Sequence, residues 1–264
     1  MAAAFEAIDV HYAYNEVAAL NGLSLRIEQG QRIALLGANG SGKSTLLRLL
    51  DALYFAERGQ ILAFGAELSE EAMQDDALAH RFRQRVGLVF QNPDVQLFNP
   101  TVFDEIAFGP LQLGWSKPDI RAAVDAAARE FRVEHLKDRS PHRLSGGEKK
   151  RVALASVLVI NPEVLLLDEP TAALDPKSTS EMVDFLVSCR DSGRTVITAT
   201  HDLSIIEDIA DHCFVLQAGR VVASGTPAEI LADEALLHRA HLAHVHRHVH
   251  EDGTQHSHHH LHEH

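Results

Sequence analysis

Apolar residues in this chain fall into short runs that alternate with longer amphipathic stretches. Phe5–Val10, Leu23–Ile27 and Arg32–Leu36 read as strands, and the last runs directly into the glycine-rich segment Gly37–Thr45. Lys43–Leu53 then has the pattern of a helix. Val86–Phe90 predicts another strand, ending at Gln91. From there to about Ile160 the spacing is helical. Ser116 is placed as an N-cap ahead of Lys117-Pro118, and Ile120, Ala123, Val124, Ala127 and Phe131 share one apolar face. Val164–Leu167 and Thr195–Ala199 are strands expected to be buried on both faces. Asp175-Pro176 opens a helix that stops near Gly193, and Cys213–Leu216 and Val221–Ala223 add two more strands. This alternation predicts an α/β fold, a mostly parallel sheet covered on both sides, with a helical insert between Gln91 and Ile160. Beyond about Asp233 the pattern fades, and no internal repeat is visible.

Composition narrows the class. No run approaches the ~20 apolar residues needed to cross a bilayer. The opening segment MAAAFEAIDV lacks the basic-then-apolar order of a secretory leader. The expectation is a cytosolic protein, at most peripheral to a membrane. Cys189 and Cys213 are too few for a zinc or disulfide framework and are expected as buried thiols. A net charge of −13 with histidine neutral opposes sequence-independent nucleic-acid binding. Histidine is the outlier, because 12 of the 18 lie at or beyond His238.

The chemistry begins at Gly37–Thr45, which fits the phosphate-binding pattern G-x-x-x-x-G-K-[ST] between a strand and a helix. Gly37, Asn39, Gly40, Ser41, Gly42 and Thr45 frame a loop whose backbone N–H groups can approach phosphates. Lys43 would neutralise the β- and γ-phosphates, and Ser44 would ligate Mg²⁺. A second constellation, Val164-Leu165-Leu166-Leu167-Asp168-Glu169-Pro170, ends a buried strand in adjacent carboxylates. Asp168 is the expected Mg²⁺ ligand and Glu169 the expected general base.

Between them stands Leu144-Ser145-Gly146-Gly147-Glu148. The phosphate loop, this pentapeptide and the paired carboxylates together resemble the ATP-binding subunit of an ATP-binding-cassette (ABC) machine, over residues 1 to about 232. The resemblance implies a P-loop NTPase cassette with a RecA-like core, an antiparallel β subdomain and a helical signature subdomain at about 92–160. It leaves 233–264 as a histidine-rich tail, expected to be flexible. It also implies that Tyr14 stacks on adenine, with Tyr12 competing. Gln91 would sense Mg²⁺ and join Glu169 and His201 in catalysis, His201 contacting the γ-phosphate. Ser145 and Gly147 would cap ATP held by a partner subunit, near the loop aspartate Asp175. ATP and Mg²⁺ are the implied cofactors, and a homodimer the implied assembly.

Gln91–Phe98, Thr101–Pro110 and Leu144–Val152 resemble the energy-coupling-factor importers, especially their cobalt and nickel branch. This resemblance implies a peripheral subunit on the cytoplasmic face of the cell membrane. Its partners would be a transmembrane coupling subunit and a substrate-binding membrane subunit, with no nucleic acid. The Val95-Leu97-Phe98 cluster suits a coupling helix from such a partner, or else packs the helical subdomain. The leading cargo is nickel or cobalt. A vitamin importer of the same type, or a non-transport ABC ATPase, is the alternative. In the tail, His244, His246, His248 and His250 alternate. They share one face if extended, or stand one turn apart in pairs if helical. With His258 and His260 they are candidate ligands for a transition metal. A purification tag or a merely solvating tail is the plainer alternative.

Overall fold

The computed structural model describes residues 2–249 and 255–261. The chain opens with a long hairpin, β1 (Ala3–Tyr14) and β2 (Val17–Glu28). Then come β3 (Arg32–Leu36), α1 (Lys43–Leu50), β4 (Arg58–Ala63), β5 (Ala66–Glu67), α2 (Asp76–Arg85) and β6 (Val86–Val89). The helical insert holds α3 (Val102–Gln112), α4 (Lys117–Glu130) and α5 (Gly146–Leu158). The core resumes with β7 (Val164–Asp168), α6 (Pro176–Ser188), β8 (Thr195–Thr200), α7 (Ile206–Ile209), β9 (His212–Gln217) and β10 (Arg220–Gly225). It closes with α8 (Pro227–Ala232), α9 (Glu234–Arg239), β11 (Ala243–Val249) and β12 (Gln255–Leu261).

Two sheets share the body. One has the order β2-β1-β4-β5 and is antiparallel; the other runs β10-β9-β3-β8-β7-β6 and is parallel except for β10. Every residue of β3, β7 and β8 is buried, because both faces of the large sheet are covered. Period-two alternation divides these strands between two cores. Ile33, Leu35 and Leu166 face α1 and the antiparallel sheet, with Leu46, Leu47, Leu49, Leu50, Phe5 and Leu23. Ala34, Leu36, Leu165 and Leu167 face the other way, with Ile106, Val124, Val152 and Leu186 of the helices. Helix α1 stops at Leu50, short of the expected Leu53, because Ala52 takes φ of 52°.

Several elements lie outside the sequence pattern, β4 and α2 among them. In β4 only Ile61 and Ala63 are buried, so its apolar signal is thin. Helix α2 buries only Phe82 and is fixed by Asp75, which accepts from the backbone N–H groups of Ala77 and Leu78. The packed body also continues past the expected boundary at 232. Leu236, Leu237, Ala240 and Leu242 belong to the helix-side core. Beyond it, β11 and β12 pair antiparallel with His244 opposite His260, His246 opposite His258 and His248 opposite His256. The sequence pattern suggested a flexible tail there. His250, another expected ligand, lies outside the described residues. Cys189 and Cys213 are buried and free, and burial pushes the Cys213 thiol up to about 12.

Candidate nucleotide site

The site forms where the C-terminal ends of β3, β7, β8 and β6 meet. Strand β3 delivers the Gly37–Thr45 loop onto the N-terminus of α1, the geometry that holds phosphate anions. Gly42 takes φ of 107°, and a Cβ there would lie 2.7 Å from the Ala19 carbonyl. The loop therefore closes against β2 only with glycine at this position. Lys43 is folded into the loop: its Nζ donates to the Gly37 carbonyl at 2.6 Å and lies 3.5 Å from Glu169 Oε1. Burial lowers the Lys43 pKa, and the Glu169 carboxylate opposes that shift.

The Ser44 hydroxyl donates to Asp168 Oδ1 at 2.8 Å, so the two expected Mg²⁺ ligands sit side by side. Burial raises the Asp168 pKa, with the Ser44 hydrogen bond working against it. Next to it, Glu169 has φ of +45°, a region that costs a non-glycine residue about 1–3 kcal/mol. Its backbone N–H is held by the Ala199 carbonyl, which aims the side chain back into the site. His201 Nδ1 lies 3.0 Å from Glu169 Oε2, the Nδ1-protonated tautomer donating to the carboxylate. Glu169 Oε1 and Ser41 Oγ are buried without a hydrogen-bond partner. Such groups are costly unless a ligand or water completes them. This donor set fits Mg²⁺ and a polyphosphate.

Gln91 lies two residues beyond the end of β6, whose register with β7 pairs Val89 with Leu167. Tyr14 sits edge-on to Tyr12 and Tyr54, at ring separations of 5.0 and 5.8 Å. Tyr12 stacks on Tyr54 at 5.4 Å, so one of its faces is already used. The sequence reading missed Tyr54; its place soon after α1 was the available signal.

The signature residues stand apart. Among the described residues, no hydrogen bond or ion pair joins Ser145–Gly147 to Gly37–Thr45. Ser145 is the N-cap of α5 in a reciprocal capping box with Glu148. Asp175 caps α6, accepting from the N–H groups of Lys177 and Ser178 and from the Ser178 hydroxyl. The Ser178 hydroxyl and these N–H groups hold its carboxyl below the usual range. A Cβ at Gly147 would lie 2.5 Å from Ser178 Oγ, so the signature turn packs directly on the helix that Asp175 starts.

The expected docking cluster needs correction. Leu97 is 2% exposed and packs the helical core, whereas Val95 and Phe98 are 67% and 62% exposed. Phe98 meets Phe108 edge-on at 5.0 Å, and Leu111 extends the apolar surface along α3. Buried Glu105 fixes this loop by accepting from the N–H groups of Phe98 and Asn99. Among the described residues, no helix is long and apolar enough to cross a membrane.

Comparison with known proteins agrees with this geometry. The sequence model of the ABC transporter family matches residues 20–172. The chain is 60% identical over 245 residues to the nickel import ATP-binding protein NikO of Rhodobacter capsulatus, covering 92% of this chain and 96% of that one. Among solved structures it is similar to cbiO1 from Clostridium perfringens, described as part of the ABC transporter complex cbiONQ. That likeness has a TM-score of 0.75 and 37% identity, over 92% of this chain and 96% of the other. A dimeric ATP-binding cassette bound to ADP and Pi in a post-hydrolysis state gives a TM-score of 0.75 at 26% identity, over 84% and 98% of the two chains. With a phosphate loop, paired carboxylates and a signature turn in this arrangement, the chain belongs to the ABC transporter family as an ATP-hydrolysing cassette.

Proposed function

We propose that this chain powers an energy-coupling-factor importer of a transition-metal ion, nickel or cobalt. It would work as a homodimer on the cytoplasmic face of the cell membrane, beside a transmembrane coupling subunit and a substrate-binding subunit. The observation that carries the cargo is the 60% identity to a nickel import ATP-binding protein across nearly the whole of both chains. The convergence of Lys43, Ser44, Asp168, Glu169 and His201 carries the chemistry.

In this reading the Gly37–Thr45 backbone cradles the phosphates, and Lys43 exchanges the Gly37 carbonyl for a phosphate oxygen. Ser44 and Asp168 hold Mg²⁺, with Gln91 nearby, and the ion neutralises phosphate charge. Glu169 accepts the proton of the attacking water. His201 orients that carboxylate and reaches the γ-phosphate. Tyr14 offers a ring to adenine. Ser145 and Gly147, remote from their own loop, complete the site of the second subunit, with Asp175 alongside. Two ATPs thus join the subunits and hydrolysis releases them. The exposed Val95, Phe98, Phe108 and Leu111 surface receives the coupling subunit.

The tail reading follows from register. Directly opposed strand residues share a face, as do alternate residues along one strand. His244, His246, His248, His256, His258 and His260 therefore occupy one face of the hairpin. We propose that this face takes up the cargo cation, with His250 as a further ligand. Elemental mass spectrometry of metal-limited cells with and without this chain tests the cargo. Selective loss of nickel or cobalt is expected; an unchanged metal profile would favour a vitamin cargo.

A further inference from the structure

Lys150 is 2% exposed, yet among the described residues no carboxylate lies within ion-pair distance of its ammonium. It donates instead to two backbone carbonyls, Gln91 at 2.8 Å and Phe90 at 3.3 Å. Burial pushes its pKa down to about 8, against the field of Asp168 and Glu169. An ammonium buried without a counter-ion is expensive, and an apolar side chain of the same length would pack more cheaply. The position therefore points to a role other than packing.

The two carbonyls mark the place where β6 leaves the sheet and becomes the loop that carries Gln91. Further contacts fasten the same loop to the same helix. Lys149 Nζ pairs with Asp94 Oδ1 at 2.6 Å. Gln96 Nε2 donates to the Ala153 carbonyl at 2.9 Å and to Ser156 Oγ at 3.2 Å. Gln96 Oε1 in turn accepts from the Phe90 N–H at 3.2 Å. Residues 90–96 are thus pinned along α5, whose first turn holds Ser145 and Gly147. A cleft of about 310 Å³ between loop, signature turn and Ala172–Leu174 is lined by Gln91, Lys149 and Lys150.

We infer that Lys150 is a positioning residue that locks the Gln91 backbone to the signature turn. When a partner's ATP engages Ser145 and Gly147, the shift of α5 is passed to Gln91 in the same subunit's own site. The two ATP sites of the dimer are thereby coupled through this loop–helix contact, in which Lys150 holds the Gln91 carbonyl itself. The inference rests on the roles proposed above for Gln91, Ser145 and Gly147.

The test uses the purified full-length chain. Lys150→Met keeps the length and removes the charge, Lys150→Gln keeps a donor, and Gln91→Ala is the reference. Four quantities are read: ATP affinity, kcat, the Mg²⁺ concentration for half-maximal hydrolysis, and the thermal midpoint. The expected result for Lys150→Met is ATP affinity and midpoint close to wild type, with kcat lower by about tenfold to a hundredfold, the scale of a misplaced group. The Mg²⁺ requirement rises in the same variant, and Lys150→Gln is intermediate in both. If Gln91→Ala moves kcat and the Mg²⁺ requirement while Lys150→Met moves neither, the Lys150 assignment is overturned and the site reading stands. If Lys150→Met lowers ATP affinity and the midpoint together with kcat, the residue is structural and the inference fails. If Gln91→Ala changes nothing, the role of Gln91 falls and takes the inference with it.

Discussion

Replacing Glu169 with glutamine isolates the proton-accepting step. The side chain is 4% exposed, its Oε2 is held by His201 at 3.0 Å and its Oε1 lacks a hydrogen-bond partner. Glutamine has the same shape and keeps an acceptor for His201, but it cannot take a proton from water. General-base catalysis contributes about 10²–10⁴, which corresponds to roughly 3–5 kcal/mol of transition-state stabilisation. The substitution also removes the ion-pair partner of buried Lys43, so the nucleotide-free fold should lose stability while the ATP-bound form loses less. Lys43 loses the charge that opposes its lowered pKa, but bound phosphates supply a stronger one. ATP affinity should therefore hold or tighten while phosphate release falls by that factor. Stopped-assay phosphate release, fluorescent-nucleotide binding and light scattering for ATP-held dimers measure the three consequences. Hydrolysis at the wild-type rate in this variant would remove Glu169 from the mechanism.

Val95→Ala with Phe98→Ala should leave ATP affinity unchanged but uncouple hydrolysis from uptake in whole cells; normal transport would sink the docking assignment. Leu97→Ala, by contrast, empties a buried site and should cost about 2–5 kcal/mol in a denaturant titration. Truncation after Leu242 should preserve ATPase activity and abolish most Ni²⁺ binding in calorimetry, and undiminished metal affinity would refute the hairpin reading. Asp51 is raised to about 7, burial outweighing the nearby Arg83. A carboxyl raised above its unfolded value binds its proton more tightly when folded. Stability should therefore fall as pH rises from about 4 to about 7, by on the order of a few kcal/mol. Asp51→Asn should flatten that dependence; a wild-type thermal midpoint constant across this range would contradict the burial argument.

The strands that carry the candidate site were legible because β3, β7 and β8 are dominated by apolar and β-branched residues and lead in order into Gly37, the Asp168-Glu169 pair and His201. Other features depend on tertiary contacts that local pattern does not carry. Leu97 and Phe98 are both apolar and adjacent, but only packing against α3 and α5 separates a core residue from a surface one. Lys150 reads as one more surface lysine in a charged helix start until the fold places β6 against α5. Glu105 reads as a solvent-facing helical residue, whereas it caps the 98–99 loop from inside. The boundary at 232 followed a fading apolar pattern, yet Leu236, Leu237 and Leu242 suffice to dock α9 on the core. In the tail, alternation of histidines is compatible with strand or helix, and strand pairing between β11 and β12 resolves the choice.

The most direct test of the account is the initial rate of labelled nickel and cobalt uptake in metal-limited cells carrying either the wild-type chain or Glu169→Gln. ATP-driven import predicts rapid uptake of one of these ions with the wild type and near-background uptake with the variant at equal protein level. Equal uptake by the two would show that hydrolysis at this site does not drive metal entry.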